Sequence, residues 1–279
     1  MKSPRWRSFV LVSVLAVGLG SIAGPREASA QGIDARPWLG IAMDSQASGP
    51  GVRLGHVVRG SPADRSGLRE GDRIVRVAGT AISRSADVMR AVGEYSVGDV
   101  VEIGFERGGQ RRTAKALLAP FPPVDEMLRM DLVGTFAPTW KGIETVSGVF
   151  PPSIGSLRGR VVLLDFWATW CMPCRVVIPK LGALQARYGA QGLSVLGMST
   201  EDAQDVALFA QHAAMRYPVA VDKDAETTRS YGVLSLPTLV VIDKRGVVRE
   251  VAVGYDSSED ARLDSSVRAL LAEPAPPPG

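Results

Sequence analysis

Cysteine and histidine are scarce in this chain, which has only two of each among its 279 residues. Two cysteines exclude a scaffold held by many disulfides and a cysteine-rich zinc module. Two histidines leave little material for a metal site, so we expect neither a metal nor another cofactor. Hydrophobic residues nevertheless make up 46% of the chain, against 22% charged residues. This balance excludes a disordered chain and favours a globular protein of two domains.

The chain also lacks a basic region that could bind nucleic acid. Its formal net charge is +3, and this excess lies within the first thirty residues, which contain Lys2, Arg5, Arg7 and Arg26 against Glu27. The remaining residues carry as many positive as negative side chains, without a cluster of Lys or Arg. We therefore expect no nucleic-acid partner.

The first thirty residues have the three parts of a secretory signal peptide. Basic residues come first, an apolar stretch covers residues 9–22, and the small residues Ala28 and Ala30 form a cleavage site. The apolar stretch is shorter than the ~20 residues of a membrane-spanning helix. Residues 1–30 are predicted to be a signal peptide cleaved near Ala30, which makes the protein periplasmic or otherwise extracytoplasmic. The alternative is an uncleaved signal that anchors the chain in the membrane.

Proline-rich segments divide the rest of the chain. Pro120, Pro122 and Pro123 predict a stiff linker over residues 120–131. The proline-rich segment 274–279 predicts a disordered tail. The domains predicted on either side of the linker are residues 36–119 and residues 132–273.

The two predicted domains differ in their pattern of strands and helices. The first alternates short strands with glycine-rich turns, as in a small mainly-β domain. Its strands are predicted at residues 39–43, 52–58, 73–77, 100–106 and 112–118, and its helix at 85–92. The second alternates strands with helices, which predicts an α/β fold with a mixed sheet flanked by helices. Its strands are predicted at residues 161–166, 193–197, 218–222, 238–243 and 247–253, and its helices at 174–188, 202–215 (with Ser199 or Thr200 as N-cap), 225–231 and 258–272.

Both cysteines lie in one C-x-x-C motif, Cys171 and Cys174, between a buried strand and a helix. The start of a helix stabilises a thiolate, because its free N–H groups and its dipole point at the sulfur. Cys171 is therefore predicted to be nucleophilic near neutral pH, and Cys174 to resolve a mixed disulfide. Half of a zinc site is one alternative, but the chain has no further Cys. A structural disulfide is the other, although so short a loop gains little chain entropy.

Several segments of the second domain resemble one family. Residues 162–174 (VLLDFWATWCMPC) resemble the active-site segment of thioredoxin-like proteins, and residues 235–243 (SLPTLVVID) resemble the cis-proline strand of that fold. Three further segments resemble the exported TlpA/ResA group: residues 134–138 (GTFAP), 157–162 (LRGRVV) and 195–199 (VLGMS). The resemblance covers about residues 132–273 and implies a thioredoxin-like fold with thiol-disulfide oxidoreductase activity.

The resemblance implies roles for five residues. Cys171 is the attacking thiolate and Cys174 is the resolving thiol. Pro237 is the cis-proline that turns the preceding backbone toward the sulfurs, where it can pair with a substrate strand. Asp165 is the carboxylate beneath the sulfurs, and its burial without a charged partner should raise its pKa and suit a proton relay for the resolving thiol. Trp170 shields the sulfurs.

Some of these roles have alternatives, and the chain departs from the family in one place. Pro237 is alternatively an ordinary proline at a strand entry, and Asp165 a hydrogen-bonded core residue. Trp167 is expected to pack in the core.

The TlpA/ResA group often has Glu three residues after the second Cys, where this chain has Val177, so any specificity linked to that Glu is in doubt. In peroxiredoxins a Thr stands three residues before the reactive Cys, whereas Thr169 stands two residues before Cys171. This difference in spacing leaves a thiol peroxidase as a weak alternative.

The first domain resembles another family over about residues 36–118. Five short segments resemble the PDZ domains of bacterial HtrA-type proteases: residues 38–41 (WLGI), 59–63 (RGSPA), 66–68 (SGL), 70–74 (EGDRI) and 77–79 (VAG). The resemblance implies a peptide-binding pocket between a carboxylate-binding loop and a helix, formed by Leu39, Gly40, Ile41, Val88 and Met89. The net positive charge of this domain suits an anionic peptide C-terminus. The alternative is a PDZ fold used only for docking or dimer contacts.

Together the two domains predict an exported thiol-disulfide oxidoreductase that reduces or exchanges disulfides in protein substrates. The PDZ domain would bind a protein partner or a C-terminal peptide. Such an enzyme needs an upstream electron donor, for which a membrane thiol transporter is the candidate. The alternatives are a redox-sensitive PDZ adaptor with little turnover and a weak thiol peroxidase.

Overall fold

The structure is a computed structural model, which describes residues 34–44 and 50–277. These residues form two sheets of six strands each and a separate two-stranded sheet. Among the described residues, no helix is long and apolar enough to cross a membrane. The predicted signal peptide at residues 1–30 lies outside the described residues and stays a prediction.

The N-terminal half of the chain is mainly β. Its elements are β1 (Asp34–Trp38), β2 (Ile41–Met43), β3 (Val52–Val57), α1 (Pro62–Arg65), β4 (Arg73–Val77), β5 (Thr80–Ala81), α2 (Ser85–Gly93), β6 (Val100–Arg107), β7 (Gln110–Leu117) and β8 (Ala119–Phe121). The larger sheet has the antiparallel order β2-β3-β4-β6-β7, with β5 paired to β4. Its apolar core includes Leu54, Ile74 and Ile103 from the strands and Val88 from α2. The predicted mainly-β domain is confirmed.

The strand predicted over residues 39–43 is wrong at its start. Only β2 lies within the predicted range and pairs with β3, whereas β1 ends before that range, at Trp38, and pairs with β8. Gly40 separates them with a φ of +85°, and a Cβ at this position would lie 2.1 Å from the Cβ of Ser61. A left-handed turn that only glycine tolerates thus interrupts the apolar run.

The segment predicted as a linker, residues 120–131, contains regular structure. After Pro123 comes helix α3 (Val124–Leu132). Its Leu128 and Leu132 lie one turn apart and are buried in the core of the C-terminal half. Pro123 is the N-cap residue of this helix, a position whose backbone N–H takes no part in the helical hydrogen bonds. The prolines that indicated a stiff linker therefore introduce a packed helix, while the domain boundaries stay a prediction.

Helix α3 also contacts the N-terminal sheet through Asp131. Oδ2 of this carboxylate lies 2.7 Å from Nε2 of His56 on β3, and Oδ1 accepts a hydrogen bond from the backbone N–H of Arg59 at 3.3 Å. The hydrogen bond to Asp131 raises the pKa of His56. One helix thus packs in one core and is hydrogen-bonded to the neighbouring domain.

The C-terminal half has the predicted mixed sheet flanked by helices. Its elements are β9 (Ile143–Ser147), β10 (Val161–Phe166), α4 (Met172–Tyr188), β11 (Leu193–Ser199), α5 (Ala203–His212), β12 (Val219–Asp222), α6 (Glu226–Ser230), β13 (Thr238–Ile242), β14 (Val248–Val253) and α7 (Glu259–Ala272). The strand order is β14-β13-β10-β11-β12-β9, in which β10, β11 and β12 are parallel and the other pairings are antiparallel. The sequence did not indicate β9, a partly exposed edge strand.

Strand β10 lies in the middle of this sheet, and all six of its residues are buried. Val162, Leu164 and Phe166 belong to one apolar cluster, and Val161 and Leu163 belong to the cluster that α4 covers. Because side chains alternate along a strand, Asp165 lies on the α4 side.

Helix α5 is shorter than the predicted helix over residues 202–215. Its N-cap is Asp202, whose carboxylate accepts a hydrogen bond from a backbone N–H in the first turn at 2.8 Å. Neither Ser199 nor Thr200 has this role, because Ser199 is the last residue of β11. The helix ends at His212, and Ala214 has a left-handed φ of +48° that no helix can include.

Candidate functional site

Cys171 and Cys174 form a disulfide at the N-terminus of α4, with their Sγ atoms 2.01 Å apart. Cys171 is the N-cap, and its Sγ accepts a hydrogen bond from the backbone N–H of Cys174 at 3.2 Å. Both cysteines are buried, with exposures of 3% and 1%. The N–H groups and the dipole of this helix end favour a negative sulfur, so the site can stabilise the Cys171 thiolate after reduction.

The loop that leads into Cys171 is held by Glu201. One carboxylate oxygen accepts a hydrogen bond from the backbone N–H of Thr169 and the other from its hydroxyl, each at 2.6 Å. Nη2 of Arg175, in the first turns of α4, donates to the carbonyl oxygen of Thr169 at 2.7 Å. These contacts fix the backbone just before the disulfide. Glu201 stands in no motif, so the sequence did not indicate this contact.

The peptide bond between Leu236 and Pro237 is cis, as the resemblance implies. Pro237 directly precedes β13, in which Thr238 lies opposite Phe166 of β10. The side chain of Leu236 packs against the apolar cluster that contains both cysteines. The backbone before Pro237 therefore lies against the disulfide cluster, where an extended substrate segment can pair with it.

Asp165 is buried beneath this end of the sheet, with an exposure of 1%. Its Oδ2 accepts a hydrogen bond from the hydroxyl of Tyr217 at 3.1 Å, and among the described residues its Oδ1 has no hydrogen-bond partner. Burial raises the pKa of Asp165 to about 7, although the hydrogen bond from Tyr217 lowers it. A carboxyl with this pKa can take up and release a proton near neutral pH.

The two tryptophans before the disulfide have different environments. Trp170 is 69% exposed, whereas Trp167 is buried. Trp167 belongs to the same apolar cluster as both cysteines, and its ring centroid lies 5.2 Å from that of Phe209. Trp167 is thus a core residue, as expected, and it packs in the apolar cluster that contains both cysteines. Trp170 contributes to the surface, and its shielding role stays a prediction.

An open cleft of about 270 Å³ lies beside the segment that leads into the disulfide. Trp167, Trp170, Leu234 and Leu236 are among its lining residues. Trp170 and Leu234 are largely exposed, as is Met172 between the two cysteines. The disulfide is therefore surrounded by apolar side chains on which a polypeptide segment can lie.

A second cleft, of about 560 Å³, lies between β2 and α2 in the N-terminal half. Its lining includes all five residues that the resemblance assigns to the peptide pocket, namely Leu39, Gly40, Ile41, Val88 and Met89. Leu39 and Val88 are mainly core residues, whereas Met89 is 62% exposed. Peptide binding by these residues stays a prediction.

The paired strands β1 and β8 add walls to this second cleft that the sequence did not indicate. Trp38 and Phe121 both line it, and their rings meet edge to face with centroids 6.3 Å apart. The guanidinium carbon of Arg36 lies 5.3 Å from the centroid of the Phe121 ring. Arg36 also lines the cleft, so an aromatic pair and a cation border it.

Comparison with known proteins assigns both halves of the chain. Residues 37–118 match the PDZ domain family, and residues 133–251 match the AhpC/TSA family. The thiol-disulfide oxidoreductase ResA from Geobacillus thermodenitrificans (strain NG80-2) is 35% identical over 106 residues, which are 38% of this chain and 61% of ResA. The thioredoxin-like protein YneN from Bacillus subtilis (strain 168) is 35% identical over 116 residues, which are 40% of this chain and 66% of YneN. The chain thus spans 61% of the length of ResA.

A solved structure resembles the same half of the chain. It is a thiol:disulfide interchange protein of the thioredoxin family from Chlorobium tepidum TLS, 32% identical in sequence. The match covers 51% of this chain and 99% of that protein, with a TM-score of 0.44. The two family matches identify residues 37–118 as a PDZ domain and residues 133–251 as part of a thioredoxin-like domain of the AhpC/TSA family.

Proposed function

We propose that this chain is an exported thiol-disulfide oxidoreductase that reduces or exchanges disulfides in protein substrates. The observation that carries the proposal is the Cys171–Cys174 disulfide at the N-terminus of α4. The buried carboxyl of Asp165 on the α4 side of the sheet supports it, as does the segment before Pro237. The names of the relatives over this half of the chain agree with this activity.

The proposed reaction has two exchange steps. In the reduced protein the Cys171 thiolate attacks a substrate disulfide, which forms a mixed disulfide and releases one substrate thiolate. Asp165 then takes the proton of Cys174, and the resulting thiolate attacks Sγ of Cys171. This second step forms the Cys171–Cys174 disulfide and releases the other substrate sulfur, which takes up a proton. Two electrons have then passed to the substrate.

The proposed cycle needs a donor that returns two electrons to the Cys171–Cys174 disulfide. Outside the cytoplasm, cytosolic dithiols do not reach the protein. We therefore propose a membrane thiol transporter as the upstream donor. The signal peptide predicted at residues 1–30 supports this location.

The variant Cys174→Ser tests the oxidoreductase activity, because it keeps the attacking thiol and removes the resolving one. After reduction, this variant should accumulate a stable mixed disulfide with a disulfide-containing protein such as insulin. The adduct should appear in intact-mass spectra and disappear with dithiothreitol.

The matched control is the double variant Cys171→Ser/Cys174→Ser, which should form no adduct. A reduced Cys174→Ser protein that also forms none would contradict the proposal. It would favour the adaptor alternative, in which the redox state of the disulfide changes the affinity of the PDZ domain for a peptide.

For the PDZ domain we propose that the cleft between β2 and α2 binds the C-terminus of a protein substrate. The lining of Ile41, Met43 and Met89 suits an apolar last side chain, and the cation Arg36 suits the anionic terminus. Holding a substrate there would raise its concentration at the disulfide of the same chain.

The variant Met89→Glu tests this pocket. Met89 is an exposed lining residue on α2, so a carboxylate there should repel a peptide carboxylate without disturbing the core. Peptides with an apolar last residue and a free C-terminus should lose about tenfold in affinity, which corresponds to about 1.4 kcal/mol. Calorimetric titration of the full chain measures this.

The control for the pocket variant is Leu117→Glu, which changes an equally exposed apolar residue on β7 outside the cleft. It should leave the affinity unchanged, and amidated peptides should bind neither protein well. Equal affinities in the Met89→Glu variant and the wild type would rule out this pocket.

A further inference from the structure

Tyr217 reaches Asp165 because of a glycine in the neighbouring strand. In the parallel pairing of β10 and β11, Asp165 lies opposite Gly197. A Cβ on Gly197 would lie 3.2 Å from Cε2 of Tyr217 and 2.9 Å from Nε1 of Trp167. Any larger residue at position 197 would therefore push against the Tyr217 ring. A glycine inside a strand often marks such a close approach.

The ring of Tyr217 occupies part of the space that Gly197 leaves, together with Trp167 and Val219, and Tyr217 is itself 4% exposed. Its hydroxyl donates to Oδ2 of Asp165 at 3.1 Å, in a buried position. Burial, together with the neighbouring Asp165, raises the pKa of Tyr217 well above its ordinary value. The hydroxyl therefore stays protonated, and remains a donor, over the range in which Asp165 titrates.

The other carboxyl oxygen of Asp165, Oδ1, is buried without a hydrogen-bond partner among the described residues. A buried polar atom in this state is costly, and such atoms are rare in folded proteins. In the disulfide form, Cys174 has no proton to share. Reduction supplies an S–H group at the start of α4, the helix that covers the Asp165 side of β10.

Among the described residues, no titratable group other than Tyr217 contributes to the shift in the pKa of Asp165. Lys180 of α4 donates its hydrogen bonds to Tyr255 and Asp260. From the neighbouring strands, the residues opposite Asp165 are Gly197 and Leu239, which carry no charge. Burial and the Tyr217 hydroxyl are thus the two influences on the pKa of Asp165.

We propose that Tyr217 is a positioning residue for disulfide exchange: its hydroxyl holds Oδ2 of Asp165 and leaves Oδ1 to exchange a proton with Cys174. This inference rests on the proposed function. When the Cys174 proton moves to Asp165, the Cys174 thiolate attacks Sγ of Cys171 and the substrate sulfur leaves. The proton then passes to that sulfur or to solvent, and Asp165 is again a carboxylate.

The variant Tyr217→Phe tests the inference, because it removes the hydroxyl and keeps the ring. Without this donor the pKa of Asp165 should rise further, by about one unit. The pH at which the exchange rate is half-maximal should rise by the same amount, so that the rate below that pH falls about tenfold. Two readouts are needed: the pH profile of insulin reduction by the full chain, and the infrared titration of the Asp165 carboxyl.

The matched control is Tyr231→Phe. Tyr231 is also buried in this domain, and its hydroxyl donates to the carbonyl oxygen of Pro138 at 2.8 Å instead of to a carboxyl. Its loss should leave both pH midpoints unchanged. Equal midpoints in Tyr217→Phe and the wild type would overturn the inference, and so would an equal shift in Tyr231→Phe.

Two further measurements distinguish a failure of this inference from misfolding of the variant and from failure of the proposed function. If Tyr217→Phe does not fold, Gly197→Ala serves instead, because its methyl group crowds the rings of Tyr217 and Trp167. Displacement of Tyr217 should shift the midpoints in the same direction, and no shift overturns the inference. If the wild type does not reduce insulin, the proposed function fails. The infrared titration of Asp165 then still decides whether Tyr217 controls this carboxyl.

Discussion

Replacing Cys171 with Ser should abolish catalysed reduction of insulin disulfides by the full chain, with a loss on the order of 10³-fold or more. Cys171 is the N-cap of α4, where the helix end stabilises a negative sulfur. A serine hydroxyl at this place cannot form a mixed disulfide. Cys174, already inside the helix, has no equivalent access to the free N–H groups.

The comparison for this variant is the reduced wild type, because both proteins lack the disulfide and differ in one atom. Their thermal unfolding should be similar, which would separate the loss of activity from a loss of fold. Insulin turbidity or a fluorescent disulfide substrate measures the rate. Equal rates in the variant and the wild type would reject Cys171 as the nucleophile.

Replacing Asp165 with Asn should stabilise the protein at alkaline pH and not at acid pH. Burial raises the pKa of Asp165 from 3.8 to about 7 in the folded chain. A raised pKa contributes stability that is fully present below pH 3.8 and is lost as the pH rises through 7. The stabilisation by Asn should therefore be about 4 kcal/mol larger at about pH 9 than at about pH 3. Urea unfolding at the two pH values measures this difference.

The control is Asp243→Asn, because the Asp243 side chain is also inaccessible to solvent but its pKa is shifted in the opposite direction. Burial alone would raise the pKa of Asp243, but hydrogen bonds from Val247, Arg245 and Arg249 lower it below 3.8. Its replacement should therefore destabilise the protein above about pH 4. If the effect of Asp165→Asn on the free energy of unfolding does not depend on pH, burial does not raise the pKa of this carboxyl.

The sequence predicted the redox site well because its chemistry depends on local order along the chain. A buried apolar strand, a C-x-x-C motif and a helix follow one another, so the positions of Cys171 and Cys174 need no long-range information. Pro237 lies far along the chain, and its place beside this site came from the resemblance. The mixed sheet followed from the alternation of strands with helices and a final hairpin.

Features that depend on contacts between distant segments were not predictable in this way. Tyr217 stands in no motif, and its contact with Asp165 requires Gly197 on a third segment. Gly197 was the last residue of the predicted strand, and only the longer observed strand β11 places it in a strand interior, where glycine marks a close approach. The same holds for Glu201, whose contacts with the Thr169 loop arise only after β10 and β11 pair.

Proline and glycine were also misleading where tertiary structure decided their role. The proline run before residue 124 indicated a linker, but apolar residues one turn apart fold the next segment into α3. Gly40 lies inside an apolar run that indicated one strand, but its positive φ separates β1 from β2. In both cases a local pattern was compatible with two structures, and packing against distant residues selected one.

A redox titration of the Cys171–Cys174 pair distinguishes a catalytic dithiol from a structural disulfide. The full chain is equilibrated in thiol–disulfide buffers of graded potential, its free thiols are alkylated, and the added mass is counted. We expect a reversible two-electron transition with a midpoint between about −270 and about −120 mV, the range of catalytic dithiols. A midpoint below about −300 mV, where structural disulfides lie, would contradict it.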